Sequence, residues 1–269
     1  MIENKAVSKR PAKLLSLSAK SWLVVAALGQ WIFAAYVTAF YFPRVFGSGP
    51  AGLADTHLPN GYVAGDAAGN LAISGHVVIA AVIIGLGPLQ LVPKIRMKAP
   101  RFHRIVGRIY VATAILTSIA GLYLVLTRGT LGGWVGHTAI SLDAILIISF
   151  ACIAVYHAIK RNFLLHETWV LRLFMVVSAV WFFRIGIMAW FITTGGVGID
   201  TETFSGPFLT FLFFGQMAVP LLVLEMYLRA RRSKHAGFKY LTAATIGTAT
   251  ILTAIGILAA TMFMWVPRL

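Results

Sequence analysis

Residues 71–93 read LAISGHVVIAAVIIGLGPLQLVP, a run without a single Asp, Glu, Lys or Arg. At 1.5 Å of rise per residue, about 20 such residues cross the ~30 Å hydrocarbon core of a bilayer. A soluble core of this size has no use for so long an uncharged run, so the stretch reads as a membrane-spanning helix. Its one ionisable side chain is His76.

Comparable windows lie at 21–43, 104–127, 136–158, 167–193, 207–228 and 240–266, which brings the count to about seven. With 59% hydrophobic and 12% charged residues in a chain of 269, they predict an all-α polytopic transmembrane helical bundle. Residues 1–20 read as a basic N-terminal segment, and 21–269 as one transmembrane domain with a four-helix, histidine-bearing core over about 71–193. The first apolar window is longer than the apolar region of a signal peptide and lacks a convincing cleavage site, so it is expected to be retained. The long connection 44–70, rich in Gly, Ala and Pro, is expected to form a small cap. Cys152 is the single cysteine, which excludes a disulfide framework within the chain.

A net charge of +15 would suit nucleic acid if it formed one patch, but the charges sit between the apolar windows, and nucleic acid is not expected as a partner. Lys94, Arg96, Lys98, Arg101, Arg104 and Arg108 fall on the same side as the basic N-terminus, as do Lys160, Arg161, Arg229, Arg231, Arg232, Lys234 and Lys239. Only Arg44, Arg128 and Arg268 lie opposite, with Asp55, Asp66, Asp200 and Glu202. This is the positive-inside distribution, and it predicts N-terminus in, C-terminus out. The lipid bilayer is the expected partner, and a bacterial inner membrane fits as the location.

Ionisable groups within a membrane cost free energy, so their placement points to chemistry. His76 and His137 fall near the outer ends of the second and fourth spans, and His103 and His166 near the inner ends of the third and fifth. One face of the third span carries His103, Gly107, Tyr110, Ala114, Thr117 and Gly121; one face of the second carries His76, Ala80, Ile83, Gly87 and Gln90. Gly87 and Gly121 would let a flat macrocycle approach the backbone, or would simply let helices pack closely. Arg184 follows His166 by a whole number of turns, a rise of roughly 27 Å, which puts it near the outer pair. There it would neutralise a propionate or pair with Asp143, the latter being the simpler expectation. His157 falls on a different side of its helix from His137, and with His103, His166 and Glu167 it offers an alternative metal cluster for iron or zinc. His57 and His235 fall in loops and are assigned no role.

The motifs HRIVGRIY at 103–110 and HETWVLR at 166–172, after a span holding His76 with Gly87, Pro88 and Gln90, resemble a bacterial family of predicted multi-span membrane proteins with a domain of unknown function. The likeness covers about residues 70–195 and implies no established activity. A more distant resemblance is to cytochrome b561, which places one haem-ligating histidine on each of four consecutive helices, second paired with fourth and third with fifth. His76, His103, His137 and His166 match it by order alone.

That second resemblance implies two b-type haems, an inner one on His103 and His166 and an outer one on His76 and His137. Electrons would pass across the membrane from a small-molecule or quinone donor, with Arg104, Arg108 and Arg172 holding inner propionates. Against it stands the vertical gap between the pairs, about 30 Å for twenty residues. The other classes are a non-redox protein, either a transporter or an assembly or lipid-interacting factor, and a membrane enzyme with a cytoplasmic-face His/Glu metal site. For transport, the expected helix breaks are Pro88 and Pro220.

Overall fold

The computed structural model describes residues 3–56, 58 and 60–269, with side chains from Arg10 onward; His57 lies outside the described residues. The helices are α1 (Glu3–Ser48), α2 (Ala67–Gln90), α3 (Pro93–Lys98), α4 (Pro100–Arg128), α5 (Gly133–Ile159), α6 (Phe163–Val177), α7 (Ala179–Thr194), α8 (Pro207–Arg232) and α9 (Ala236–Ala260). Among the described residues the only β pairing is an isolated bridge between Asp200 and Ser205. Six helices are long and apolar enough to cross a membrane, and α6 with α7 makes a seventh, bent span. Only helices satisfy their own backbone hydrogen bonds in hydrocarbon, and side chains such as Leu126, Leu222 and Ile251 are accordingly exposed around the bundle.

The connections α2–α4, α5–α6 and α8–α9 gather the Lys and Arg residues at one end, called here the basic end. Proline opens α3, α4 and α8, where its missing N–H costs nothing. At the far end, Gly129 (φ 77°) and Gly195 (φ 71°) end α4 and α7 in backbone conformations that other residues rarely adopt. Around the bundle, α2 lies between α1 and α4, α5 packs on α4 and α6, α8 on α6 and α7, and α9 closes the ring between α7 and α1.

Three local features differ from the sequence expectation. The basic segment before residue 21 is not separate, because α1 runs unbroken from Glu3 to Ser48. It contains no glycine before Gly29 and one early proline, Pro11, so nothing there ends the helix. Second, the fifth span is two helices inclined by 50° at Ser178. Neither expected proline makes this break: Pro88 sits in the last turns of α2 and Pro220 within α8. Ser178 has φ −85° and ψ 0°, and its hydroxyl accepts a 2.8 Å bond from Gln30 Nε2 on α1, a buried polar pair that ties the bend to the neighbouring helix. Third, the basic loop after α2 contains the additional short helix α3.

The far-end connection is the expected cap. Leu53 is fully buried and packs into the aromatic cluster of α1 that includes Tyr36, Phe40 and Tyr41. Arg128, at the end of α4, latches the connection: its guanidinium donates to Asp66 Oδ2 (2.8 and 3.0 Å), the Asn60 carbonyl (2.8 Å) and Asn70 Oδ1 (2.7 Å). Asp66 also caps α2 by accepting from the Gly69 N–H. The Gly69 bond, then Arg128, hold its carboxyl below the usual aspartate range.

Candidate functional site

The antiparallel pair α2 and α4 meets in a fixed register. A Cβ at Gly121 would stand 3.5 Å from His76 Cε1, one at Gly87 3.2 Å from Tyr110 Cε2, and one at Gly107 3.1 Å from Gln90 Oε1. In each layer a glycine on one helix receives a large polar or aromatic side chain from the other. Small residues let membrane helices approach, and here they also place His76, Tyr110 and Gln90 inside the contact.

Each of those inserted side chains carries a buried polar atom without a protein partner. Among the described residues nine buried side-chain nitrogen or oxygen atoms make no hydrogen bond, and seven of them belong to α2, α4 and α5. They are His76 Nδ1, Gln90 Nε2, His103 Nδ1, the Tyr110 hydroxyl, Thr117 Oγ1, Ser118 Oγ and Asp143 Oδ1. An unmade hydrogen bond in the interior costs about 1–3 kcal/mol, so a concentration of them marks a place where water, a proton or a polar cofactor is at home. His103, Tyr110 and Thr117 recur every seven residues on one face of α4, which makes the unpartnered groups a row along the membrane normal.

The four histidines divide by hydrogen bonding. His166 Nδ1 lies 2.9 Å from the Ala154 carbonyl; a carbonyl can only accept, so Nδ1 carries the proton and a neutral His166 keeps the Nε2 lone pair free. A histidine held this way has the orientation of a metal ligand. His103 lies at the same end, within reach of the charge of His166, Arg96 and Arg104, and its own Nδ1 is unpartnered.

The outer pair is not brought together. His137 Nε2 accepts the Thr130 N–H at 3.0 Å, against Gly129 at the turn into α5. Its Nε2 lone pair is thus in use. His76 lies instead against Gly121, eight residues earlier on α4, or about 12 Å along that helix. The midplane between them and the inner pair is filled: the Tyr110 and Phe174 rings occupy the space beside Gly87, and a void of about 10 Å³ lined by Gln30, Tyr110 and Ser178 holds at most one water. At the basic end His166 keeps a free Nε2 lone pair and His103 an unpartnered Nδ1, whereas the far pair as arranged does not share one site.

Several other expected residues have different partners. Arg184 makes no ion pair with Asp143. It lies against α1, 5.3 Å from the Phe33 ring centroid, with its charge felt by Tyr36, Tyr41 and His76, and among the described residues no carboxylate pairs with it. It donates to the Val180 carbonyl within its own helix. Arg172 holds Glu225 on α8 at 2.7 Å and stacks on Trp169, so it is not free for a propionate. Arg104 and Arg108 are exposed at the basic end.

Glu167 bridges Arg96 (3.4 Å) and Arg231 (3.3 Å), joining α3, α6 and α8. His157 packs edge-on to Tyr156. No three His, Cys, Asp or Glu side chains converge in a way that could hold a metal among the described residues, so His103, His157, His166 and Glu167 do not assemble into one cluster.

A second feature was not visible in the sequence. A crevice of about 800 Å³ opens along α8, walled by α6 and α7 on one side and by α1 and α9 on the other. Its walls are apolar, with Trp22, Phe182 and Leu224 among them, and its basic end carries Lys20, Arg231, Lys239 and the bridging Glu167.

Neither the curated proteins nor the solved structures contain a match to the chain. Residues 73–224 match the model of one family, a region that runs from α2 into α8 and includes all four histidines and the row of unpartnered groups. More than half of the chain is covered, and the protein belongs to the family described as "Predicted membrane protein (DUF2306)".

Proposed function

We propose that the protein is a membrane electron carrier of the b-type cytochrome kind, in which His103 and His166 at the basic end would hold the haem. The observation that carries this reading is the tautomer of His166. Its Nδ1–H is committed to Ala154, leaving Nε2 for a metal, while a second imidazole with an unpartnered nitrogen lies at the same end within reach of its charge.

A haem held by His103 and His166 would supply one-electron redox chemistry. The chain does the rest. The Ala154 carbonyl orients the His166 ring and raises its basicity. Arg96 and Arg104 add positive charge beside His103, where acidic cofactor groups would lie. The row Gln90, Tyr110, Thr117, His76 extends from this end across the membrane and provides groups able to relay a proton as charge moves. With the basic end in the cytoplasm of a bacterial inner membrane, electrons enter there from a small-molecule or quinone donor. A second haem on His76 and His137 lacks equivalent support, because His137 would have to release Thr130.

The test is an absorbance spectrum of protein purified from haem-replete cells. A Soret band lost equally in His103→Ala and His166→Ala, and retained in His137→Ala, is the expected result. A colourless, iron-free preparation overturns the reading.

A further inference from the structure

The crevice along α8 has no part in the histidine row, and its shape and charge specify an occupant. Lining residues on α8 run from Phe208 to Arg231. That is a rise of about 34 Å, more than twice the ~15 Å of acyl region in one leaflet. Its volume of about 800 Å³ lies in the range of small-molecule sites, and exposed side chains such as Phe211 and Leu252 leave it open along the side. The lining is mostly apolar; besides the charged end it holds Ser16, Tyr227, Thr253 and Gln216, whose amide donates to the Phe213 carbonyl of its own helix.

At that end the charge is unbalanced. Glu167 is shared between Arg231 and Arg96, and neither Lys20 nor Lys239 has a carboxylate within ion-pair distance among the described residues. Cations near a membrane surface attract anionic head groups by about 1 kcal/mol each, or roughly five-fold in affinity. Three basic residues, from α1, α8 and α9, line the basic end of this one apolar crevice.

We propose that this crevice binds a lipid with an anionic phosphate head and a single tail longer than one leaflet, the chemistry of a polyprenyl phosphate. The head lies among Lys20, Arg231 and Lys239, and the tail follows α8 toward Phe208. An ordinary diacyl phospholipid supplies the head but fills the channel only to mid-depth with either chain. A neutral long-chain lipid fills the channel and leaves the cations without a partner. The wall formed by α6 to α8 falls mostly within the family match, whereas α1 and α9 lie outside it.

The experiment uses the full-length protein, delipidated in detergent, with binding read by native mass spectrometry. Polyprenyl phosphate is compared with polyprenol of the same length and with phosphatidylglycerol. One polyprenyl phosphate per chain is expected, bound more tightly than either competitor, with Lys20→Gln and Lys239→Gln each weakening it about five-fold. Val219→Trp and Ala249→Trp, both facing the channel, should block it while leaving the unfolding temperature unchanged. Having two plugs guards against one of them failing to fold. Equal binding of polyprenol removes the head-group argument, and equal binding of phosphatidylglycerol removes the tail-length argument; either overturns the proposal. So does binding indifferent to both tryptophans, or a dimer in which a second copy seals the crevice. Haem content is not involved in any readout, so this proposal and the electron-carrier reading fail separately.

Discussion

Gly121 on α4 and His76 on α2 are in direct contact: the missing Cβ of the glycine would stand 3.5 Å from the imidazole Cε1. That is ordinary van der Waals spacing. The same register brings Gly87 to 3.2 Å from Tyr110 and 3.3 Å from Phe174, which is tighter than most real contacts. The two glycines therefore tolerate a methyl group differently.

Replacing glycine by alanine within a helix gains about 0.5–1 kcal/mol of backbone entropy. At Gly121 nothing opposes this, and Gly121→Ala should be neutral or slightly stabilising. At Gly87 the neighbours are rings only 3% and 2% exposed, unable to move aside, so overpacking of about 1–3 kcal/mol outweighs the gain. Thermal unfolding in detergent should rank Gly87→Ala below the parent and Gly121→Ala at or above it. The reverse order would contradict the packing of α2 on α4.

Arg172 and Glu225 join α6 to α8 through a 2.7 Å contact, partly shielded, with 22% and 32% of their side chains exposed. Fully exposed pairs contribute about 0–1 kcal/mol, and breaking a buried one costs about 3–5 kcal/mol. An intermediate loss of about 2 kcal/mol is expected for Arg172→Ala. The double variant with Glu225→Ala should recover part of it, because the unpaired charge is then gone. A double-mutant cycle on unfolding free energy gives the coupling, and a value near zero would refute it.

The far-end latch depends on pH. Asp66 has its carboxyl depressed below the ordinary 3.8 by the Gly69 N–H and then Arg128. A depressed acid stabilises the folded form fully above its unfolded value and loses that contribution as pH falls through its folded value. A spin label at Ala64→Cys, with Cys152→Ser, should be equally immobile at pH 8 and pH 5. It should loosen only below about 3.8. In Arg128→Gln the label should be mobile throughout, and a transition near neutral pH would exclude Asp66 as the controlling group.

The bend at Ser178 rests on the bond from Gln30. Ser178→Ala leaves the buried Gln30 amide without its acceptor, a cost of about 1–3 kcal/mol. Combining it with Gln30→Leu removes the unmet donor and should restore most of the stability. Thermal melts of the three variants test this, and additive losses would show that the two residues do not depend on each other.

Hydropathy made the seven spans legible, because an uncharged run the length of 71–93 has one good environment. Periodicity likewise grouped His103, Gly107, Tyr110, Thr117 and Gly121 on one face, since that depends only on helix geometry. What those residues face did not follow, since it depends on the register of a second helix. Arg184 was expected near the outer pair, and its charge does reach His76, but the ion pair with Asp143 is absent, since it depends on how α5 and α7 are set; Ser178 carries no proline or glycine to signal the 50° break. The state of His137 depends on a turn that brings the Thr130 N–H to its ring, a contact that no spacing rule contains. Glu167 and Arg172 were read as site residues because of their type; their salt bridges to α3 and α8 belong to tertiary structure.

The family match stops at residue 224, inside α8, which divides the molecule's two special features unequally. The histidine row lies wholly within the matched region, while the crevice takes one wall from that region and the other from α1 and α9. Lys20, Arg231 and Lys239 all fall outside the matched stretch, so the three cations at the crevice belong to what this chain adds around the family's common portion.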